Sequence, residues 1–460
     1  MSIDVIVLAA GQGSRMKSTL PKVMHPLAGQ PLLRHVLNSA AQLQDARLHL
    51  VVGHGGDQLV DYIQSETISA QPIQIAWQRE QLGTGHAVAQ ALPACAKDSV
   101  VLILYGDVPL TPSSLLNSMV SVAQQGDLAL LTVNLADPAG YGRILRSPVG
   151  DVVAIVEHKD ATDAQKAIAE VNTGIMAVKA EALADWLPRL SANNAQGEYY
   201  LTDIIAMAAE EGVRIRALQP QAEEEVQGVN TRSQLAALER WYQMRQAQAL
   251  MAAGVSLADP QRFDLRGSLK HEIDISIDIN CVFEGEVILE EGVVIGPNCL
   301  IRNSHIGAYT RIEANSVIEG AQVGAQATIG PFARLRPGTD LATQTRIGNF
   351  VEVKKSVIGR GSKVNHLSYI GDAQIGSEVN IGAGTITCNY DGVNKSLTEI
   401  EDGAFIGSNT ALVAPVKVGA NATVGAGSTL NKAVEAGQLA VARAKQRNLD
   451  NWTRPTKREK

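Results

Sequence analysis

In the carboxyl-terminal half of the chain an apolar side chain returns at every sixth residue. Ile277, Phe283, Leu289, Ile295 and Ile301 keep that spacing, and so do Val323, Ile329, Leu335, Leu341, Ile347 and Val353. It holds again for Ile358, Val364 and Ile370, for Ile375 and Ile381, and for Ile400, Ile406, Leu412, Val418, Val424 and Leu430. Five-residue steps such as Val353 to Ile358 join some of the runs. Six residues carry an α-helix through most of two turns and would scatter these side chains around it. A strand period of two, with a turn at every sixth residue, puts them all on one side. The chain then winds as a three-sided coil whose turns stack in parallel, one apolar side chain of each hexad pointing to the axis. Each fully buried Ile or Leu contributes about 1.5–3 kcal/mol, so the coils stabilise one another although none would stand alone.

The period lapses between Ile381 and Ile400, over GAGTITCNYDGVNKSLTE. The expectation is that the hexad stops for nineteen residues and resumes in phase, with Asn389, Tyr390, Asp391 and Gly392 in a turn-rich tip off the coil. Loops thrown from rigid scaffolds commonly carry binding groups. Neighbouring hexads supply Arg336, Lys354, His366 and Tyr369. Arg336 and Lys354 are eighteen residues apart, which a three-sided coil stacks on one face. Stacked cations suit an anionic ligand such as a sugar phosphate. Histidine titrates near neutrality, and His366 suits taking a proton from an amine during acyl transfer.

The first half has another pattern. DVIVLAA (Asp4 to Ala10), LHLVVG (Leu48 to Gly53) and VVLILYGD (Val100 to Asp107) read as buried, parallel-type strands. Helical patterns lie between them, Pro31 to Leu43 and Thr84 to Leu92. Strand, helix, strand predicts an α/β domain with a mostly parallel sheet and ligands at the carboxyl ends of its strands. After the first strand, Gly11 and Gly13 let backbone approach a ligand and turn N–H groups onto phosphate, with Arg15 and Lys22 adding charge. Asp107, at the end of the third strand, can hold Mg²⁺, and Asn230 in VQGVN offers a second oxygen. Gly83 and Thr84 precede a helix whose first N–H groups are expected to be open.

A polar helix is predicted over Asn230 to Gly254, with Leu235, Leu238, Trp241 and Tyr242 on one side. The expected division is residues 1–229, a linker helix over 230–254, and a hexapeptide domain over 255–460. At 460 residues two or three domains are expected. With 45% apolar and 19% charged residues and a net charge of -7, the chain gives no reason to expect nucleic acid. The basic RPTKREK terminus reads as a frayed end. Four scattered cysteines without metal-ligand spacing, no leader and no membrane-length apolar run point to the cytoplasm and away from membrane insertion.

LAAGQGSRM, LPKVMHPLAG, QLGTGHAV, YGDVPL, GYGRI, VEHKDAT, EVNTGIM and NNAQGEYYLTDII together resemble the amino-terminal domain of the GlmU family, and the hexapeptide half continues the likeness over essentially the whole chain. That family is the bifunctional N-acetylglucosamine-1-phosphate uridylyltransferase and glucosamine-1-phosphate N-acetyltransferase. The resemblance implies a Rossmann-like nucleotidyltransferase domain joined by a helix to a left-handed parallel β-helix. It implies that Leu8, Ala9, Ala10, Gly11, Gly13, Gln78, Gly83, Thr84, Tyr105 and Gly106 bind the uridine nucleotide, with Arg15 and Lys22 at the phosphates. Asp107 and Asn230 would be the Mg²⁺ ligands, and Gly142, Glu157 and Asn172 would hold the amino sugar. In the second half it implies glucosamine 1-phosphate at Arg336, Lys354, Tyr369 and Asn380, and His366 as general base. Acetyl-CoA would meet Ala383, Asn389, Tyr390, Ser408, Ala426 and Arg443. A homotrimer with sites between its solenoids is also implied. The product would be UDP-N-acetylglucosamine, which feeds cell-wall and lipopolysaccharide synthesis. A sugar-nucleotide pyrophosphorylase whose solenoid only oligomerises or regulates is the competing reading, and a non-enzymatic scaffold a more distant one.

Overall fold

The structure is a computed structural model and describes residues 2–68 and 72–457. The chain forms two compact units, divided in sequence between Tyr242 and Gln243.

In the first unit the run Ile3–Ala9 is buried throughout, which only a central strand with both faces covered allows. It pairs in parallel with Ala46–Val52 on one side and Val100–Tyr105 on the other. The order across the sheet is Ile215–Leu218, Leu128–Asn134, Glu170–Lys179, Val100–Tyr105, Ile3–Ala9, Ala46–Val52, Gln74–Trp77. Along this path Glu170–Lys179 alone runs antiparallel to its neighbours. Side chains alternate along each strand. Val5 and Val7 therefore face Val36, Leu59 and Met119 of the helices Leu32–Ala41, Gly56–Ser65 and Ser113–Gln124. Ile6 and Leu8 face Val88, Leu183 and Ile204 of Thr84–Ala91, Ala180–Trp186 and Ile204–Glu210. The predicted polar helix is Arg232–Ala252. Its Leu235, Leu238, Trp241 and Tyr242 pack with Met16, Leu27, Leu32 and Leu110, the side expected from their spacing.

In the second unit every apolar hexad residue named above is buried, and together they form one continuous core. Equivalent residues stack in parallel register. Ile277, Ile295, Ile312, Ile329, Ile347, Val364 and Ile381 succeed one another on a first face, and Ile301, Ile318, Leu335, Val353 and Ile370 on a second. Val323, Leu341, Ile358 and Ile375 continue a third. Corner residues take left-handed backbone. Asn298 and Asn315 accept it easily, whereas Phe332 (φ 55°) and Phe350 (φ 54°) are bulky residues held there.

The lapse is shorter than the spacing predicts. Ile386–Cys388 is a strand of the coil, with Thr387 buried in the inward slot and paired with Leu412. The Thr387 hydroxyl donates to the Gly371 carbonyl at 3.0 Å, which is how a polar residue is tolerated at that position. Ile358 pairs with Ile375 and Ile400 with Val418, but Ile375 pairs with Ile400, so this coil has 25 residues where its neighbours have 17 or 18. The excursion itself is 389–397. Arg454 to Lys457 are exposed and lie outside helix and strand, while the last three residues of RPTKREK lie outside the described residues.

Candidate active sites

The carboxyl end of Ile3–Ala9 opens into a cavity of about 220 Å³. Leu8, Ala9, Ala10 and Gly11 form one wall, Gln78, Gly83 and Thr84 another, and Lys22, Tyr105 and Asp107 complete it. Gly106 ties two of the strand ends together, its N–H donating to the Leu8 carbonyl at 2.9 Å. Val23, Gln81, Ala87 and Glu198 also line the cavity, and the sequence carries no pattern that singles them out.

Gly13 has φ +61°, and a Cβ there would stand 2.6 Å from the Lys22 Cβ. The glycine is what lets Lys22 close on the loop. Lys22 is ion-paired with Asp107, and its Nζ lies 3.0 Å from Asn230 Oδ1. Arg15 Nη2 donates to the same oxygen at 2.9 Å. The approach of Asn230 follows from a backbone bond, Val229 N–H to the Asp107 carbonyl at 2.9 Å. A carboxylate and an amide oxygen thus converge on one positive group, a donor set that suits a hard divalent cation.

Gln78 is buried and donates through Nε2 to the Gly83 carbonyl at 3.0 Å. Gly83 has φ +111°, and a Cβ would meet the Tyr199 carbonyl oxygen at 2.6 Å. The following amides are not all open: Gly85 N–H already donates to that carbonyl at 2.9 Å, a correction to the reading of the helix start. The close approach of the Tyr199 backbone is why position 83 has no room for a side chain.

Gly142, Glu157 and Asn172 come together as a second cluster. Asn172 N–H donates to the Gly142 carbonyl at 2.9 Å, and a Cβ at Gly142 would lie 3.3 Å from Glu157 Oε1. Burial raises the Glu157 carboxyl above its ordinary value, against the hydrogen bond from Thr202 Oγ1 at 3.0 Å. Tyr105 joins the two clusters. Burial, then the charges of Glu157 and Asp107, push its hydroxyl well up, while a hydrogen bond with Thr84 opposes them.

At the opposite end of Ile3–Ala9, ligand atoms of Asp4, His49 and Cys95 lie within 4.8 Å of one another. This group does not suit a metal. Asp4 Oδ1 takes His49 Nε2 at 2.8 Å, and Oδ2 takes Arg47 at 2.5 Å and Ala96 N–H at 3.0 Å. Burial and the Asp4 charge push the Cys95 thiol up to about 12, so it stays protonated.

In the second unit Arg334–Leu335 pairs with Glu352–Val353, and Arg336 N–H donates to the Val353 carbonyl at 2.9 Å. Arg336 and Lys354 therefore stack as their spacing requires. Tyr369 pairs with Glu352, two residues before Lys354. Arg336 Nη1 donates to Glu352 Oε1 at 2.7 Å. The excursion adds a cation that the motif reading passed over. Lys395 first, then Arg336, hold the Lys354 ammonium below the ordinary lysine range. The signal was present, a lysine inside the only long break in the period.

Asn389 is buried, its Nδ2 donates to Asp372 Oδ2 at 2.5 Å, and its carbonyl accepts from Ser396 N–H at 2.9 Å. Its side chain thus anchors the excursion. Tyr390 bridges Lys395 and bonds through its hydroxyl to the Gly392 carbonyl at 2.5 Å. His366 is exposed at the end of Lys363–His366. Lys363 pairs with Asn380 and Val364 with Ile381, which brings His366 level with Ala383. Phe405 follows on Asn380 and Ile406 on Ile381, bringing Ser408 level with Ala383, and the next coil brings Ala426. Arg443 Nη1 donates to the Ala426 carbonyl at 2.6 Å. His366, Ala383, Ser408 and Ala426 thus form one column at a corner. Asn380 belongs to the first face, with Lys363 and Phe405, while Lys354 and Tyr369 belong to the second. One chain does not gather the four residues expected at the sugar phosphate.

Among the described residues no helix is long and apolar enough to cross a membrane. Residues 5–195 match the MobA-like NTP transferase domain, and residues 397–432 match the bacterial transferase hexapeptide family of six repeats. The "Bifunctional protein GlmU" of Marinobacter nauticus is 59% identical over 457 residues, covering 99% of each chain. That of Cellvibrio japonicus is 60% identical over 456 residues, covering 99% of this chain and 100% of its own. That of Pseudomonas entomophila is 55% identical over 460 residues and the full length of both. With such identity running through both units, the chain belongs to the GlmU family of bifunctional transferases.

Proposed function

We propose that the chain makes UDP-N-acetylglucosamine in the cytoplasm by two reactions, one in each unit. Acetyl-CoA first acetylates glucosamine 1-phosphate in the second unit. UTP then gives UMP to N-acetylglucosamine 1-phosphate in the first, releasing pyrophosphate. The observation that carries this reading is that one solenoid holds both the column of His366, Ala383, Ser408 and Ala426 and the cluster of cations Arg336, Lys354 and Lys395. A solenoid serving only to oligomerise has no use for them.

In the acetyl transfer the cations take the sugar phosphate, which a cluster of like charges favours. The imidazole of His366 accepts a proton from the amine as its nitrogen attacks the thioester carbonyl, and coenzyme A leaves as the thiol. Ala383, Ser408 and Ala426 run along the corner where the cofactor would lie, with Arg443 suited to its phosphates.

In the uridylyl transfer an ionised oxygen of the sugar phosphate attacks the α-phosphorus of UTP, and no side-chain base is required. Arg15 and Lys22 hold the phosphates, and Gly142, Glu157 and Asn172 hold the sugar. Asp107 and Asn230 would hold Mg²⁺, which when bound neutralises charge on the triphosphate.

A homotrimer with sites between chains accounts for Asn380 lying on another face from Lys354 and Tyr369. It also accounts for Phe332 and Phe350, stacked at 5.3 Å and about half exposed, followed by the exposed Leu367. These apolar corners adjoin Asn349 and His366.

Product analysis with glucosamine 1-phosphate, acetyl-CoA, UTP and Mg²⁺, omitting one at a time, tests the reading. Acetylation without UTP, and no nucleotide sugar without acetyl-CoA, are expected. Nucleotide sugar formed from glucosamine 1-phosphate and UTP alone, with no acetylation under any condition, favours the monofunctional reading.

A further inference from the structure

His366 has an in-register neighbour one coil earlier, Asn349, at the end of Arg346–Asn349. The imidazole Nδ1 lies 2.9 Å from Asn349 Oδ1. An amide oxygen can only accept, so this bond requires the proton on Nδ1 and leaves the lone pair on Nε2. Among the described residues Nε2 makes no hydrogen bond, and the side chain is exposed.

The backbone around the pair leaves little besides the side-chain torsions to set. Leu367 N–H donates to the Asn349 carbonyl at 3.1 Å, and Gly384 N–H to the His366 carbonyl at 3.2 Å. The Ser368 hydroxyl donates to that same His366 carbonyl at 2.8 Å. The coil therefore fixes where the ring is attached, and the bond to Asn349 fixes how it turns and which nitrogen is protonated. An imidazole without a partner samples both tautomers, and only the one with a bare Nε2 can accept a proton there. A partner that holds the ring of a functional histidine also selects its tautomer.

We propose that Asn349 is a positioning residue for the acetyl transfer, holding His366 in the Nδ1–H tautomer so that Nε2 is the base. This rests on the reading of His366 as general base. The step balances simply: Nε2 takes the ammonium or amine proton, the nitrogen–carbon bond forms, the carbon–sulfur bond breaks, and the thiolate leaving group is protonated.

The test uses the full-length chain. Asn349→Ala and Asn349→Leu should lower kcat for acetyl transfer roughly tenfold or more, with KM for both substrates within about twofold. Uridylyl transfer by the same preparations should be unchanged, which controls for enzyme concentration, and a thermal melt of the second unit matching wild type controls for its folding. Asn349→Asp, which keeps an accepting oxygen, should restore most of kcat. Histidine-selective ¹⁵N NMR, with the signal assigned by its loss in His366→Ala, should find Nδ1 protonated and Nε2 bare in the neutral ring. In Asn349→Leu the two tautomers should mix. An unchanged kcat in Asn349→Ala, or a wild-type ring protonated on Nε2, overturns the proposal, and the NMR result stands even if a variant fails to fold. Full acetyl transfer by His366→Ala would instead overturn the underlying reading of the base.

Discussion

Lys22 is ion-paired with Asp107, and the same ammonium stands 3.0 Å from Asn230 Oδ1. Three residues from distant parts of the chain thus meet around one ammonium, two of them, Lys22 and Asp107, lining the cavity at the carboxyl end of Ile3–Ala9. Asp107→Ala removes the only full negative charge of that set. Pyrophosphate release should fall on the order of 100-fold or more, while release of the coenzyme A thiol stays within about twofold. Equal loss of both activities would contradict the assignment of one reaction to each unit.

Lys395 reaches Lys354 because the excursion returns on itself, with Tyr390 bridged to Lys395 and Asn389 bound to Asp372. If the three cations serve the sugar phosphate, Lys395→Ala should raise KM for glucosamine 1-phosphate by about tenfold, the worth of one charge-assisted hydrogen bond. The kcat at saturation should change by less than about threefold. A steady-state titration in which KM stays put would remove Lys395 from the binding set.

Ile329 is fully buried in the axial core between Ile312 and Ile347. Ile329→Asp places an unpaired carboxylate there, a loss of more than about 4 kcal/mol. The second unit should fail to fold and acetyl transfer should disappear. A thermal melt superimposable on wild type would rule out the stacked coil.

Asp4 is buried, which by itself raises its pKa, but hydrogen bonds from His49, Ser99, Ala96 and Arg47 outweigh burial and hold it at about 2, against an ordinary 3.8. The folded value is the lower one. Its contribution to stability, about 2 kcal/mol, is therefore present above about pH 4 and is lost as pH falls toward 2. Asp4→Asn should lower the urea midpoint of the first unit at pH 7, and the gap from wild type should narrow through that window. A gap that does not change with pH would mean that the charge of Asp4 contributes nothing.

The solenoid was legible because its core repeats a single requirement, and each apolar residue at the hexad spacing is buried. Thr387 hid the continuation of the coil, since a threonine whose hydroxyl is satisfied within the coil can stand where the period demands an aliphatic residue. The stacking of Arg336 on Lys354 could be read from spacing, because register fixes it. Asn349 beside His366 obeys the same register, but an asparagine gains meaning only once the neighbouring ring is seen. The approach of Asn230 to Asp107 depends on the bond from Val229 N–H, a tertiary contact that no periodicity encodes. Gly83 was recognisable as special, but the Tyr199 carbonyl that leaves it no room for a side chain comes from a distant segment and could not be read from the motif.

The central claim is that one chain carries two independent chemistries, with the imidazole of His366 serving only the acetyl transfer. Both rates should be measured on a single preparation of His366→Ala, supplying glucosamine 1-phosphate with acetyl-CoA in one assay and N-acetylglucosamine 1-phosphate with UTP and Mg²⁺ in the other. Acetyl transfer should fall by roughly 10²- to 10⁴-fold with uridylyl transfer unchanged. Acetyl transfer within a few-fold of wild type would contradict it.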